Sequence, residues 1–271
     1  MWRRHRSQSE FLTPGEVEST FDGGVDALFD PAHYVSGLHS GLDALDHLAG
    51  GLRPGTITLL SGEAGVGKTA LALAYVRHAA LVDGVATAIF SPVVTREHLL
   101  LRLIAAEARI PLQQFTKHGL DAVQREAALE AWGRVNRSPM FIDDSLVDDV
   151  RELYRSLRAL TRRSRVEFVV VDSLHGGRPR GWFGRSTRAA ELLAEVAQDF
   201  GVAILVLSKA PAADDHASWE QHADRIMVLR PTSRASEVEV LVQRNRFGST
   251  GRVTLRLNTE WVAFEEADGG L

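Results

Sequence analysis

The chain has 271 residues, of which 45% are hydrophobic and 24% are charged, as is typical of a folded protein with one large α/β domain or two small ones. The absence of cysteine excludes disulfides, thiol catalysis and thiolate metal sites, and the absence of a membrane-length apolar run or a signal-peptide core predicts a cytoplasmic protein with no membrane contact. A net charge of −4 excludes a uniformly basic surface, so any contact with DNA must come from a local patch.

The pattern along the chain changes near Ser40. Residues 1–35 are polar and contain turn-forming clusters, which predicts an N-terminal arm or linker that is partly disordered. From Ser40 onwards, apolar runs alternate with amphipathic segments. The predicted elements are a strand at 56–61, a helix at 68–82, a strand at 86–91, helices at 96–108 and 121–135, a strand at 139–143, a helix at 150–162, a strand at 166–172, a helix at 186–200, and strands at 202–208, 226–229, 238–242, 253–257 and 261–264.

The composition of these strands predicts the fold class. Residues 166–172 and 202–208 are almost continuously apolar, which indicates strands buried on both faces of a parallel sheet. The last four strands have no helices between them, which favours antiparallel pairing. The predicted fold is therefore α/β, with a mostly parallel central sheet flanked by helices and with antiparallel C-terminal strands. Trp219 and Trp261 are expected in the core or at an interface.

A complete phosphate-binding loop, with the pattern G-x-x-x-x-G-K-[ST], lies between the first predicted strand and helix. Its glycines let backbone N–H groups approach phosphate oxygens, and the following helix N-terminus adds a favourable dipole. Lys68 is predicted to neutralise the β- and γ-phosphates of ATP, and Thr69 to bind Mg²⁺. The predicted nucleotide-binding residues are Gly62, Glu63, Ala64, Gly65, Val66, Gly67, Lys68, Thr69 and Ala70.

A carboxylate stands where a second magnesium ligand is expected. Asp172 ends an apolar strand, and ligands of open α/β sheets bind at the carboxyl edge. The structural alternative is an aspartate that caps a helix or forms a turn. Asp143 and Asp144 are weaker candidates because the strand before them is less apolar, and the ten histidines show no metal-ligand spacing.

Several short stretches, in the order found in one family, resemble the ATPase domain of the DnaB-type replicative helicases, members of the RecA-like superfamily. The matching stretches are residues 41–46, 50–55, 90–91, 141–144, 171–174, 207–208, 220–224 and 244–251. The last is also similar to the RadA recombination ATPases. The resemblance extends over residues 36–266 and implies a RecA-like P-loop ATPase domain there, with residues 267–271 as a tail.

The resemblance implies an ATP-hydrolysing motor that acts on single-stranded DNA in replication or recombination, with proteins of those processes as partners. It also implies a homo-oligomeric ring, with the hexamer as the candidate size, in which Arg246 of one subunit reaches the γ-phosphate bound to the next. Arg244 takes the place of the family's lysine, and His175 that of a glutamine after the metal-binding aspartate. For both arginines the alternative is a solvated hairpin strand.

The loop after Asp172 faces the central channel by this resemblance. Its arginines and aromatics are suited to bind phosphates and to stack on bases. The alternative is a surface loop whose aromatics pack on a neighbouring subunit. The candidate DNA-binding residues are Arg178, Arg180 and Arg185.

The chain departs from the family where hydrolysis is concerned. Val93 stands at the position of the catalytic glutamate, and valine cannot orient an attacking water. Glu97 and Glu63 are the two alternative carboxylates. Lys209 replaces a glutamine, and the DNA-contacting loop is shortened to residues 210–217. A nucleotide-binding regulatory or scaffold protein with weak or lost hydrolysis therefore remains the alternative function, and a RadA- or KaiC-like ATPase with a different partner is a third.

Overall fold

The computed structural model of the protein describes residues 13–18, 25–26, 37–145, 150–172, 186–209 and 219–267. A short helix, α1 (Pro14–Glu18), falls within the predicted N-terminal arm. Most of the predicted arm at 1–35 and of the predicted tail at 267–271 lies outside the described residues.

A nine-stranded sheet organises the described residues. Its strands are β1 (Ile57–Gly62), β2 (Thr87–Phe90), β3 (Met140–Asp143), β4 (Phe168–Asp172), β5 (Ala203–Lys209), β6 (Arg225–Pro231), β7 (Glu237–Asn245), β8 (Gly251–Asn258) and β9 (Ala263–Glu266). The order across the sheet is β3-β2-β4-β5-β1-β6-β7-β8-β9. The first six strands in this order are parallel to one another, and β7, β8 and β9 pair in antiparallel fashion. The predicted α/β fold class is confirmed.

Helices cover both faces of the sheet. They are α2 (Asp43–Ala49), α3 (Lys68–Arg77), α4 (Arg96–Ala108), α5 (Ala122–Arg137), α6 (Val150–Thr161) and α7 (Ser186–Phe200). The core on one face contains side chains of α2 to α5, together with Leu60 and Leu205. The core on the other face contains side chains of α6 and α7, together with Leu59 and Val206. Because successive strand residues enter opposite cores, the central strands are apolar without alternation. Among the described helices, none is long and apolar enough to cross a bilayer.

Several boundaries differ from those predicted. The predicted helix at 68–82 is α-helical only to Arg77 and continues as a π-turn at His78–Val82. A change of hydrogen-bond register over five residues leaves no clear mark on hydrophobic periodicity, so it was not foreseen. The predicted strand at 261–264 begins instead at Ala263, because Val262 lies in the preceding turn with a φ of 54°. Trp219 is buried in the core, as expected.

Helix α2 was not predicted, and its C-terminal end is anchored to the sheet by side chains from β6 and β7. The buried guanidinium of Arg225 donates hydrogen bonds to the carbonyl oxygens of Ala49, Gly50 and Gly51, at 2.6 to 3.2 Å. Asn245 Nδ2 donates to the same Ala49 oxygen at 2.9 Å. These donors satisfy carbonyls that a helix end leaves without intrahelical partners.

A β-bulge in β7 makes the Asn245 contact geometrically available. Ile226 of β6 pairs with Arg244 of β7, whereas the next residue, Met227, pairs with Val242, so Gln243 is an extra residue on β7. An inserted residue reverses the alternation of the side chains that follow it. Asn245, rather than Arg244, therefore falls on the face of Val242 that packs toward α2.

Candidate nucleotide-binding site

The phosphate-binding loop lies between the carboxyl end of β1 and the first turn of α3. Gly67, the residue before the helix, has a φ of 103°, and a Cβ atom there would lie 3.0 Å from the ring of Phe264. Both the backbone conformation and the close packing require glycine. The first N–H groups of α3 lack intrahelical partners, so this end of the helix is suited to bind an anion.

The other loop residues differ in exposure. Glu63, Ala64 and Gly65 are exposed, whereas Val66 and Ala70 are buried. The buried members anchor the loop to the core beneath it, while the exposed members leave the outer side of the loop open.

Lys68 Nζ lies across the loop. It donates hydrogen bonds to the carbonyl oxygens of Gly62 at 2.8 Å and Glu63 at 2.6 Å. Burial lowers the pKa of Lys68, an effect opposed by the negative charge of Asp172 and reinforced by the positive charge of Lys209. The loop's own carbonyl oxygens thus accept hydrogen bonds from an ammonium group that would bind anionic oxygens more strongly.

Thr69 and Asp172 meet at the carboxyl edge of the sheet. The Thr69 hydroxyl donates a hydrogen bond to Asp172 Oδ2 at 2.8 Å, although 103 residues separate them in the chain. Asp172 is buried, and this burial raises the pKa of its carboxyl, while the Thr69 bond and the charges of Arg102 and Lys68 act in the opposite direction.

The donor set of this pair fits magnesium. A hydroxyl and a carboxylate oxygen are the hard ligands that Mg²⁺ prefers, and protein Mg²⁺ sites commonly use one or two such groups, with water and phosphate oxygens completing the shell. In the part of the chain that the structure describes, no cluster of three or more His, Asp or Glu side chains offers a cage made by protein alone.

Three strands bring residues of the candidate site to the same face of this edge. Each of these residues stands two positions after an apolar residue of the core beneath α3. The pairs are Leu60 and Gly62 on β1, Val170 and Asp172 on β4, and Leu207 and Lys209 on β5.

The pairing of β1 with β5 sets the place of Lys209. Lys209 is the partner of Gly62 in this parallel ladder, so it stands directly beside the phosphate loop. Its charge and that of Arg102 make the site rich in cations. Only Lys209 had been noted from the sequence, since the helical position of Arg102 carries no motif.

The rival carboxylates lie elsewhere. Strand β3, which precedes Asp143 and Asp144, is the edge strand of the sheet, four positions away from β1. Asp144 forms an ion pair with Arg96 Nη2 and accepts a hydrogen bond from the Arg96 backbone N–H at 3.0 Å. Asp143 accepts hydrogen bonds from the backbone and hydroxyl of Ser145. Both carboxylates have structural partners and are remote from the loop.

Val93 follows a strand that pairs with the strand ending at Asp172. It follows β2 by three residues, and β2 pairs with β4 so that Phe90 stands opposite Val171, the residue before Asp172. Val93 is 57% exposed. Glu97 lies one turn further on in α4 and Glu63 in the loop, and both are exposed.

Arg246 lies near the amino ends of the parallel strands, at the opposite end from the phosphate loop. It follows β7, and its Nη1 donates to Asp224 Oδ1 at 3.0 Å while its Nη2 donates to the Gln221 carbonyl oxygen at 3.2 Å. Asp224 immediately precedes β6 at the amino edge of the parallel strands, whereas the loop follows their carboxyl edge. Arg244 is half-buried within β7. The structure therefore does not bring Arg246 to the phosphate loop of its own chain.

Four predicted site residues lie outside the described residues: His175, Arg178, Arg180 and Arg185. The same is true of the shortened loop at 210–217.

Comparison with known proteins agrees with this geometry. The family of the DnaB-like helicase C terminal domain matches residues 37–266. A relative, the replicative DNA helicase DnaB of Leifsonia xyli subsp. xyli (strain CTCB07), is 28% identical over 257 residues, which cover 86% of this chain and 56% of the relative. The chain thus spans a little over half the length of the curated relatives it matches.

Two solved structures have the same fold. A DnaB-like replicative helicase, whose structure was described with its interactions with primase, superposes with a TM-score of 0.78 at 20% identity and covers 90% of this chain and 65% of that one. The RadB recombinase superposes with a TM-score of 0.56 at 21% identity and covers 85% of this chain and 100% of that one. These similarities confirm the predicted RecA-like fold.

We predict that Lys68→Ala weakens ATP binding by roughly 10- to 100-fold, because a charge-assisted contact to phosphate is lost. Isothermal titration calorimetry in the presence of Mg²⁺ measures the effect. Lys117→Ala, which removes an exposed lysine from the π-turn at Gln114–His118, is the matched control and should bind like the wild type. Unchanged affinity in a Lys68→Ala variant with a normal circular dichroism spectrum would contradict the assignment.

We predict that Asp172→Asn raises the melting temperature at neutral pH by a few degrees when nucleotide and Mg²⁺ are absent. Burial raises the pKa of this carboxyl, so its stability contribution is greatest when it is protonated and is lost as the pH rises through its folded-state pKa. The difference between variant and wild type should therefore vanish in acid, where both side chains are neutral.

The same variant should lose the stabilisation that Mg²⁺–ATP gives to the wild type, as measured by differential scanning calorimetry. Asp143→Asn serves as the control, because that carboxylate ends the edge strand. A shift in the Mg²⁺ response with Asp143→Asn but not with Asp172→Asn would reverse the assignment of the two residues.

Proposed function

The chain belongs to the family of DnaB-like helicase C-terminal domains, and from this premise we propose that residues 36–266 form an ATP-hydrolysing motor domain. Its proposed substrate is ATP with Mg²⁺, and its proposed track is single-stranded DNA in replication or recombination. A role on the chromosome would place it in the cytoplasm.

The observation that carries this proposal is the placement of two half-sites at opposite ends of one strand. Lys68, Thr69 and Asp172 converge where β1 ends. Arg246 lies where β1 begins, because its partner Asp224 also accepts a hydrogen bond from the N–H of Ile57, the first residue of β1. Strand β1 has six residues, so the two half-sites are roughly 17 Å apart at about 3.3 Å per residue. An arginine that serves a nucleotide from this position must serve one bound to another copy.

This separation supports a homo-oligomeric assembly. A phosphoryl transition state gains much of its stabilisation from an arginine that contacts the developing charge, and such an arginine can come from a second subunit. We infer a ring, with the hexamer as the candidate size, in which each subunit gives its loop to one interface and Arg246 to the next. Arg244, two residues earlier and within β7, contributes a second positive charge.

The residues of the loop have separable tasks. The N–H groups at the start of α3 bind phosphate oxygens, and Lys68 exchanges its two carbonyl partners for the β- and γ-phosphates. Thr69 and Asp172 would hold the Mg²⁺ ion, which supplies charge neutralisation at the phosphates when bound. Lys209, beside Gly62, adds a positive charge to the same anionic ligand.

The alternative function is a nucleotide-dependent regulatory or scaffold protein with weak or lost hydrolysis. Val93 favours it, because a valine at the family's position for the catalytic glutamate cannot orient water. Glu97 in α4 and Glu63 in the loop are the carboxylates that would restore hydrolysis if either reaches the attacking water. Binding of DNA through Arg178, Arg180 and Arg185 is supported by the family resemblance alone.

We predict that wild-type ATP turnover is slow and is stimulated by single-stranded DNA, and that Val93→Glu raises kcat by about 10-fold or more, because a well-positioned base contributes ~10²–10⁴-fold. A coupled phosphate-release assay, with and without single-stranded DNA, measures both effects.

Val123→Glu is the matched control. It changes a different exposed valine, which lies on α5, and should leave kcat unchanged. Rapid turnover of the wild type that is abolished by Glu97→Gln would instead identify Glu97 as the base and remove the main support for a regulatory protein. Wild-type turnover that ignores single-stranded DNA would contradict the motor.

We predict that Arg246→Ala binds ATP normally but loses turnover by roughly 10³-fold, the contribution expected of a transition-state arginine. Mixed with Lys68→Ala subunits, it should recover part of the activity, because one interface then pairs an intact loop with an intact arginine. Steady-state turnover of the mixture, compared with each variant alone, measures this recovery.

Arg252→Ala, which removes a highly exposed arginine from β8, is the control and should retain full turnover. Activity that resides in a species sedimenting as a monomer, and that is indifferent to Arg246, would overturn the shared site.

A further inference from the structure

Asp224 joins Arg246 to the strand that carries the phosphate loop. Its Oδ1 accepts a hydrogen bond from Arg246 Nη1 at 3.0 Å, and its Oδ2 accepts one from the backbone N–H of Ile57, the first residue of β1, at 3.0 Å. Its backbone repeats both links, because its carbonyl accepts from the Arg246 N–H and its own N–H donates to the Ile57 carbonyl, each at 2.9 Å.

These contacts hold one side of the guanidinium and leave the rest of it available. Arg246 Nη1 is bound to Asp224 and Nη2 to the Gln221 carbonyl, which fixes the plane of the group at two points. The Asp224 side chain is only 16% exposed, whereas that of Arg246 is 45% exposed. A guanidinium has five N–H donors, so donors remain for a ligand on the solvent side.

A long arginine side chain without such support would sample many rotamers. A group that stabilises a transition state is effective when it is already oriented, and misplacement by about 1 Å can cost 10²-fold in rate. A nearly buried carboxylate that is itself fixed by the N–H of a central strand gives this orientation. The Asp224 ion pair is therefore more than a solvated surface contact.

We propose, on the premise that Arg246 serves the nucleotide of a neighbouring subunit, that Asp224 is the positioning residue that orients Arg246 for that task. It does not touch the nucleotide. It acts by holding the guanidinium in register with β1, so that the arginine is part of the rigid frame of its own subunit and not of a flexible turn.

The test is Asp224→Asn, which preserves size and one carbonyl oxygen. That oxygen can still accept the Ile57 N–H, but the amide NH₂ then faces the guanidinium, so the ion pair is lost while the strand contact remains. We expect kcat for ATP to fall by about 10-fold or more, with KM for ATP and sedimentation behaviour unchanged. Glu239→Gln breaks another carboxylate–arginine pair, with Arg252, and should leave kcat unaltered.

Complementation separates a positioning role from a general structural one. Asp224→Asn subunits should recover turnover when mixed with Lys68→Ala subunits, which supply an intact Arg246, but not when mixed with Arg246→Ala subunits. On an Arg246→Ala background, Asp224→Asn should cause no further loss of kcat.

Three results would overturn the proposal. They are normal kcat in Asp224→Asn when Arg246→Ala is impaired, an additional loss in the double variant, and failure of Lys68→Ala to complement. Normal turnover of Arg246→Ala by itself would remove the shared arginine as well, so failure of the proposed function is recognised separately.

A second variant covers the case in which Asp224→Asn does not fold. Arg246→Lys keeps the charge, but a single ammonium group lacks the planar fork that bonds Asp224 and the Gln221 carbonyl together. It should bind ATP normally and lose kcat to a similar extent. Full kcat in Arg246→Lys would show that orientation by Asp224 is not needed.

Discussion

The parallel pairing of β1 with β5 on one side and β6 on the other is the constraint on which the site depends. Strand β1 is buried along its whole length, and its ladder with β5 fixes Gly62 beside Lys209. The ladder with β6 places Asp224 beside Ile57 at the other end. A change of register by two residues would preserve the apolar faces, but in the β5 ladder it would separate the loop from Asp172, and in the β6 ladder it would separate Ile57 from Asp224.

The electrostatics of the carboxyl edge show a site shaped for a ligand and not for the stability of the free chain. The charges of Lys68 and Arg102 act on one buried carboxylate, Lys209 acts on Lys68, and burial disfavours the charged form of both Lys68 and Asp172. In the free protein this arrangement costs stability, because desolvated charges are only partly compensated. A polyanion bound with a divalent cation would compensate the buried charges of both Lys68 and Asp172. Nucleotide binding would therefore increase folding stability.

Much of the fold could be predicted from the sequence, because periodicity and strand composition respond directly to burial. Helices α4 and α7 begin and end where the pattern placed them, and the antiparallel extension follows from strands without helices between them. Helix α2 escaped notice because it has seven residues and ends on a cap supplied by Arg225, which lies about 175 residues further along the chain.

The loop residues could be assigned from the sequence because backbone geometry requires glycine and helix in a fixed local order. The neighbours of the site could not. Arg102 reaches it through helix packing, and Asp224 meets Arg246 through a bulge and a strand pairing, none of which leaves a local pattern. The less apolar strand before Asp143 already made it a weaker candidate than Asp172, and the order of strands across the sheet shows why, since β3 is the edge strand.

The phosphate loop and Arg246 lie at opposite ends of the strands, and this separation also limits which assemblies can complete a site. A two-fold symmetric dimer would complete its sites only if the two copies lay side by side in opposite directions, so that each loop faced the Arg246 of the other copy; a dimer joined through equivalent ends leaves arginine facing arginine or loop facing loop. An open head-to-tail row would end in one bare loop and one idle Arg246, so it would always contain one complete site fewer than it has subunits. With Arg246 shared as proposed, every copy has a working site only in a closed assembly, and breaking a ring at one interface, as loading onto a strand without free ends requires, would silence a single site and leave the others intact.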